Sequence, residues 1–349
     1  MAALLLLCAV AGVVVAAVRA DGRAYARSES NDGGAWLLNL ADSEIGHVNR
    51  VAAEVSSTVV VDADVFEVDQ ARGVVLVHDV SNAGVSLLDG RTGVLSAPVG
   101  VPEPARVTAV PGGLVVFDPD SGEVWRQTTD SLLSLASVED APAVVDVGRG
   151  ASVVVGLDGM FAVHDPADGS VWWSSPGLAP RPTPTATDLT EEAVLSTLVG
   201  ERLVLVDAEN AVWVVDGETA TPFEPGVEWD VLQQPSPVGT ELFGIDRDGR
   251  LVELSLLTGD VVSESQLLGS RPLRPIVHRG EVWSVMLAPS PAVFYRGELV
   301  EPLDDVDPLS LRLRLVNGWV WANDASDGDG FLLVDEDTVI SVRDWPSFV

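Results

Sequence analysis

A glycine followed at once, or within two residues, by an apolar strand-forming run recurs at Gly34, Gly73, Gly113, Gly150, Gly200, Gly239, Gly280 and Gly318. The successive spacings are 39, 40, 37, 50, 39, 41 and 38 residues. A period in this range marks a repeat architecture, in which no unit buries its apolar surface alone and each must stack on its neighbours. Within each unit a strand precedes the glycine and three follow, separated by turns rich in Gly, Asp, Asn, Ser and Pro. The sixth unit reads Leu242 to Asp246, Arg250 to Ser255 and Asp260 to Ser265; the fourth reads Ser152 to Leu157, Met160 to Asp165 and Ser170 to Ser174. No helical period competes. Four short antiparallel strands per unit of about 40 residues predict an all-β chain folded as a β-propeller of eight four-stranded blades. The units run from about Ala24 to Val342, and a seven-bladed ring with one irregular terminal unit is the alternative. The long spacing of 50 contains Pro176 to Thr190, with the run Pro180-Arg181-Pro182-Thr183-Pro184-Thr185, and reads as an inserted surface loop between blades.

Two turns share a longer motif. Phe117-Asp118-Pro119-Asp120-Ser121-Gly122-Glu123-Val124-Trp125 and His164-Asp165-Pro166-Ala167-Asp168-Gly169-Ser170-Val171-Trp172 resemble the Asp-x-x-x-Gly-x-x-Trp repeat of quinoprotein-like (PQQ-like) propellers. That resemblance implies tryptophans that dock one blade on the next. Weaker copies at Asp89 to Gly93 and Ser255 to Gly259 lack the tryptophan. A second resemblance lies in Asn31 to Asn39 with His47-Val48-Asn49-Arg50 following. It looks like the start of the propeller region that follows a membrane segment in large fibronectin type III proteins of high-GC Gram-positive bacteria. The fibronectin repeats of that family do not follow in this sequence.

Charge narrows the partners. The 349-residue chain carries 53 acidic and 20 basic residues, a formal net charge of −33, and every basic residue is arginine. Such a surface repels phosphate backbones, so nucleic acid is not an expected partner. Close approach to anionic lipid headgroups is disfavoured too. The only cysteine, Cys8, lies in the apolar N-terminal run, which removes disulfides and thiolate chemistry from the rest.

Ala2 to Val18 holds no charged residue, and residues 1–20 read as a signal peptide or a membrane anchor, with 21–349 as the propeller. Either reading puts the propeller outside the cytoplasm, anchored to the cell membrane or secreted.

No catalytic constellation emerges. A quinoprotein dehydrogenase would carry an adjacent-cysteine disulfide, which this chain lacks, so no cofactor is expected. There is neither a Gly-x-Ser-x-Gly elbow nor a His-Glu-x-x-His helix, and His47, His78, His164 and His278 sit singly on strands. Asp324, Asp327, Asp329 and Gly330, with Glu336 beyond, have the flavour of a calcium loop, but Ala325 falls where the first ligand is needed; a polar hairpin turn is the better reading and no metal is assigned.

One pattern follows from the register of the repeats. Arg27, Arg106, Arg274 and Arg312 each precede a turn glycine (Gly33, Gly112, Gly280, Gly318) by six residues, on the first strand of units one, three, seven and eight. If the first strand is innermost, these side chains ring the central channel and are candidate ligand-binding residues for an anion. The competing reading pairs each with a neighbouring acid, such as Glu67 at the equivalent place in unit two. The function expected is a non-catalytic extracytoplasmic propeller that binds cell-envelope polymer or a partner protein. Alternatives are an extracellular glycan-active hydrolase using paired carboxylates, and a structural stalk base.

Overall fold

The computed structural model describes residues 34–175, the backbone of 181–183, and residues 190, 193–343 and 345. The expected N-terminal apolar helix and Arg27 lie outside the described residues. Eight antiparallel sheets follow one another along the chain, each built from strands that are consecutive in sequence. In sequence order we number them blades one to eight, with blade one beginning at Ala35–Asn39 and blade eight ending at Thr338–Val342.

The apolar residues explain why the sheets form a ring. Buried hydrophobic side chains fall into eight clusters, and each cluster joins two neighbouring blades. Leu114, Val116 and Trp125 of blade three meet Val74, Leu76 and Val85 of blade two, for example. The eighth cluster closes the circle, because Ala35, Leu37 and Val48 of blade one pack on Val316, Trp321 and Leu332 of blade eight. Strands sandwiched this way are apolar on both faces, so Gly113–Phe117 is buried at every position and shows no alternation. The chain is an eight-bladed β-propeller.

The turn motif has a local physical cause. In blade three the Asp118 carboxylate accepts the Asp120 N–H at 2.8 Å and the Ser121 hydroxyl at 2.7 Å, while Gly122, at φ +83°, donates to the Asp118 carbonyl. Blade four repeats this with Asp165 and Gly169. In both, the tryptophan seven residues after the aspartate packs toward the preceding blade, Trp125 in the cluster with blade two and Trp172 against that with blade three. Asp89 to Gly93 and Ser255 to Gly259 make similar turns one step further out, between third and fourth strands, where no blade contact calls for a tryptophan.

The acidic stretch of blade eight is another copy of this turn. Gly328, at φ +91°, donates to the Asp324 carbonyl at 2.9 Å, and Phe331 stands where the tryptophan would, buried against blade seven. Asp324 is 1% exposed. Burial pushes its carboxyl up, but the Ser310 and Ser326 hydroxyls and the N–H groups of Asp307 and Ser326 outweigh that and hold it below the ordinary carboxylate range. These donors satisfy Asp324 within a hairpin turn.

Two further differences concern the edges of the ring. The proline-rich stretch is not wholly an inserted loop, because Arg181–Thr183 pairs with Val171–Trp173 as the fourth strand of blade four. Proline is tolerated there since an outermost strand leaves one row of N–H positions unused. Blade one, in turn, has three strands among the described residues. The free edge of Ala35–Asn39 is held by two side-chain amides from its neighbours. Gln70 of blade two accepts from the Trp36 N–H and donates to its carbonyl, at 3.1 and 3.0 Å. Asn323 of blade eight does the same for Leu38, at 2.9 and 3.2 Å. Trp345 completes the seam. Seven residues after Asn39, blade one carries Gly46 in place of an aromatic, and a Cβ there would lie 2.6 Å from the Trp345 ring. The indole N–H donates to the Gly328 carbonyl at 2.9 Å.

Two predictions concern this seam. Asn323→Ala leaves the buried N–H and carbonyl of Leu38 without partners and should lower the unfolding free energy by about 2–3 kcal/mol, measured by urea titration; a loss within error would mean that face packing alone closes the ring. Trp345→Ala should cost about 2–3 kcal/mol. Gly46→Ala should be clearly destabilising in the native background and near neutral beside Trp345→Ala, whereas additive costs would show that the indole does not occupy that space.

Candidate functional site: the central channel

The first strands face the axis of the ring, and where they begin they enclose a cavity of about 500 Å³. Among the described residues, seven of the eight blades line it, from Asp69 of blade two to Leu311, Arg312 and Leu313 of blade eight. Arg106, Arg274 and Arg312 all belong to this lining. The fourth member of the sequence pattern, Arg27, is among the residues not described.

Register explains the placement of two of them. Arg106 pairs with Phe117, immediately before the turn aspartate of blade three, and Arg312 pairs with Asn323, immediately before that of blade eight. Glu67 pairs with His78 at the same point of blade two. Arg274 arrives differently. The first strand of blade seven is broken into Ser270–Pro272 and Ile276–His278, both paired with Glu281–Ala288. Pro275 has no N–H to give the ladder, and its carbonyl instead accepts the Gln234 N–H of blade six at 2.7 Å. The break releases Arg274 toward the axis.

The guanidinium of Arg274 is then fixed by backbone alone. Its Nε donates to the Leu232 carbonyl at 3.1 Å, and its Nη2 to the carbonyls of Gln233 and Ser196 at 2.8 and 3.0 Å. Protein surrounds it in the channel wall, yet the side chain remains open to the cavity. Desolvation, followed by the nearby charge of Arg106, lowers its pKa below the ordinary guanidinium value. A base whose folded pKa is depressed costs stability at every pH where it is charged, and relief comes only in strongly alkaline solution. Arg312 donates to the carbonyls of Leu309 and Leu311 at 3.2 and 3.3 Å. Among the described residues none of the three arginines forms an ion pair, which distinguishes them from the surface pair Arg202–Asp216. The expected pairing with acids is therefore not what the channel shows.

One carboxylate lies in the described lining, and it is committed elsewhere. Asp69 accepts the Ala109 N–H at 2.8 Å and stands 3.6 Å from Arg314 of blade eight. A carboxylate-based glycosidase needs two acids flanking one bond, and the described lining of this cavity does not offer them. The described residues hold no group of three or more side chains suited to a metal ion. Gln234, Ser196, Asp69 and the valines of blade four were not singled out in the sequence, because nothing in their local spacing marks them as channel residues.

The architecture is shared with known structures. BamB from Moraxella catarrhalis is similar over 85% of this chain and 96% of its own, with 13% identity and a TM-score of 0.54. Apo AztD from Citrobacter koseri is similar over 89% and 95%, also with 13% identity and a TM-score of 0.54. Dihydro-heme d1 dehydrogenase NirN, in complex with DHE, is similar over 88% and 73%, with 10% identity and a TM-score of 0.58. At these identities the likeness is one of fold. No family model matches the chain, and no curated protein matches its sequence. Among the described residues no helix is long and apolar enough to cross a membrane.

The unpaired arginines carry a prediction about the empty protein. Arg106→Ala removes a cation that faces another without a counter-charge, so stability should stay unchanged or rise by up to about 1 kcal/mol in thermal unfolding. A clear loss would show that Arg106 supports the fold.

Proposed function

We propose that this protein is a non-catalytic, extracytoplasmic binding propeller of the cell envelope, whose channel cavity takes an anionic group of a cell-envelope polymer or partner protein. The observation that carries the reading is the convergence of Arg106, Arg274 and Arg312 on one cavity, where none of them forms an ion pair with a described residue. Isolated surface arginines would find acids readily in a chain of net charge −33. Holding three cations unpaired costs folding energy that an anionic ligand offsets. Arg27 belongs to the same set by its sequence register. Location outside the cytoplasm is supported by the uncharged run Ala2 to Val18 and by the resemblance of residues 31–39 and 47–50 to membrane-anchored propeller regions of fibronectin type III proteins. Residues 1–20 act on this reading as signal peptide or anchor, with 21–349 as the binding domain. The negative surface slows the approach of a free anion, so salt that screens it should speed association more than it weakens the bound state.

The test is the melting temperature of the full chain against cell-wall glycans, phosphate, sulfate and polycarboxylates. A ligand that binds only the folded state stabilises it by about 2.7 kcal/mol at one hundred times its Kd. The expected result is a rise with an anion that disappears in Arg274→Ala and Arg312→Ala. No rise with any anion would remove the channel as a binding site and leave a scaffolding role.

A further inference from the structure

We infer that the anionic group the channel cavity takes is amphiphilic, its oxyanion head bridging Arg106 and Arg274 across the axis and its apolar part lying on blade four. This rests on the channel being a binding site, and it adds the chemical class of the ligand and its orientation.

The ring supplies the first argument. Blades three and seven are four places apart in a circle of eight, so Arg106 and Arg274 project from opposite walls into one cavity. Both bring positive charge to the same cavity, and the Arg106 charge adds to the desolvation that lowers the Arg274 pKa. An anion between them is attracted from both sides.

The donors of Arg274 supply the second. A guanidinium has five N–H groups. Three are spent on the carbonyls of Leu232, Gln233 and Ser196 through Nε and Nη2, which leaves the two on Nη1. Two donors on a single nitrogen do not form the parallel fork that grips both oxygens of one carboxylate. Arg274 therefore engages one oxygen of the ligand head, and the remaining oxygens fall to Arg106, which has no hydrogen bond to the described protein. A carboxylate, phosphate or sulfonate meets this demand equally, so the shared chemistry is an oxyanion.

The opposite arc of wall supplies the third. Blade four contributes only Val153, Val154, Val155 and Leu157 to the lining, and Leu157 is 37% exposed. Leu311 and Leu313, across the axis, are buried in the cluster between blades seven and eight, so the apolar surface open to the cavity is that of blade four. An inorganic anion held by the arginines would leave this surface in contact with water, whereas an alkyl or aryl body covers it and gains the burial. The cavity volume of about 500 Å³ falls in the range of ordinary small-molecule sites.

The experiment measures affinities of the full chain for octyl phosphate, octanoate, inorganic phosphate, acetate and octanol by thermal shift and calorimetry. Octyl phosphate and octanoate should bind at least about tenfold more tightly than phosphate and acetate, from burial of the chain. Octanol should bind more weakly than either alkyl anion. Arg106→Gln and Arg274→Gln should each weaken both alkyl anions by about tenfold or more. Leu157→Ser removes apolar surface at an exposed side chain without adding a charge, and it should bring the alkyl anions toward the level of the short ones. Equal affinities for octyl phosphate and phosphate, both lost in the arginine variants, would overturn the amphiphile and keep the channel site. Octanol binding as tightly as octanoate would overturn the oxyanion head. No binding of any anion would sink the channel site itself.

Discussion

The apolar contact between one sheet and the next is what every other feature of this molecule rests on. A blade such as that built on Gly113–Phe117 is apolar on both faces and has no stable existence alone. Only a closed circle hides all the faces, and the eight buried clusters are the eight contacts of that circle. Seven of those contacts join blades that follow one another in the chain. The eighth joins blade eight to blade one without a connecting segment, so it needs additional means. Asn323 of blade eight supplies backbone-like hydrogen bonds to Leu38, and Trp345 supplies an indole over Gly46, while Gln70 of blade two holds the same strand from its other neighbour.

Closure also creates the channel and dictates what meets there. Residues from position 69 to position 313 share one cavity because blades two to eight turn residues of their inner strands, or residues next to them, toward the axis. The described lining of the cavity carries more positive than negative charge. Three arginines point into it without ion pairs to the described residues, and its described acid, Asp69, is bound to Ala109 and Arg314. Arg274 is held by three carbonyls, which fix its geometry without neutralising its charge. A structural role would be served better by neutral side chains, and that is the physical reason for proposing a ligand-binding site there.

Much of the fold was legible because its signals are local. The glycine spacing counted the blades, and the Asp118 and Asp165 turns showed their own hydrogen-bond logic in their residue types. The same logic was obscured in blade eight. There Phe331 replaces the tryptophan, and Asp327 and Asp329 draw the eye to cation chemistry, although Asp324 and Gly328 keep the turn spacing. The outer strand Arg181–Thr183 was hidden by its prolines, which argue against a strand everywhere except at an edge. Arg106 and Arg312 were legible from register because each occupies the same rung of a regular ladder. Arg274 fitted the same count, but what delivers it to the channel is a broken strand.

By itself, the sequence determined the strand-and-turn units, a count of eight with seven as the alternative, and the excess of negative charge. Each of these depends on residues within one turn or one ladder of each other, or on a simple sum. The tertiary structure decided which side chains face one another across the axis, how Arg274 spends its donors, and how blade one is sealed. Those facts depend on the circumference of the closed ring and on contacts such as Leu38 with Asn323, which are 285 residues apart. No local spacing encodes a distance across a circle; only the packing of all eight blades brings its opposite walls together.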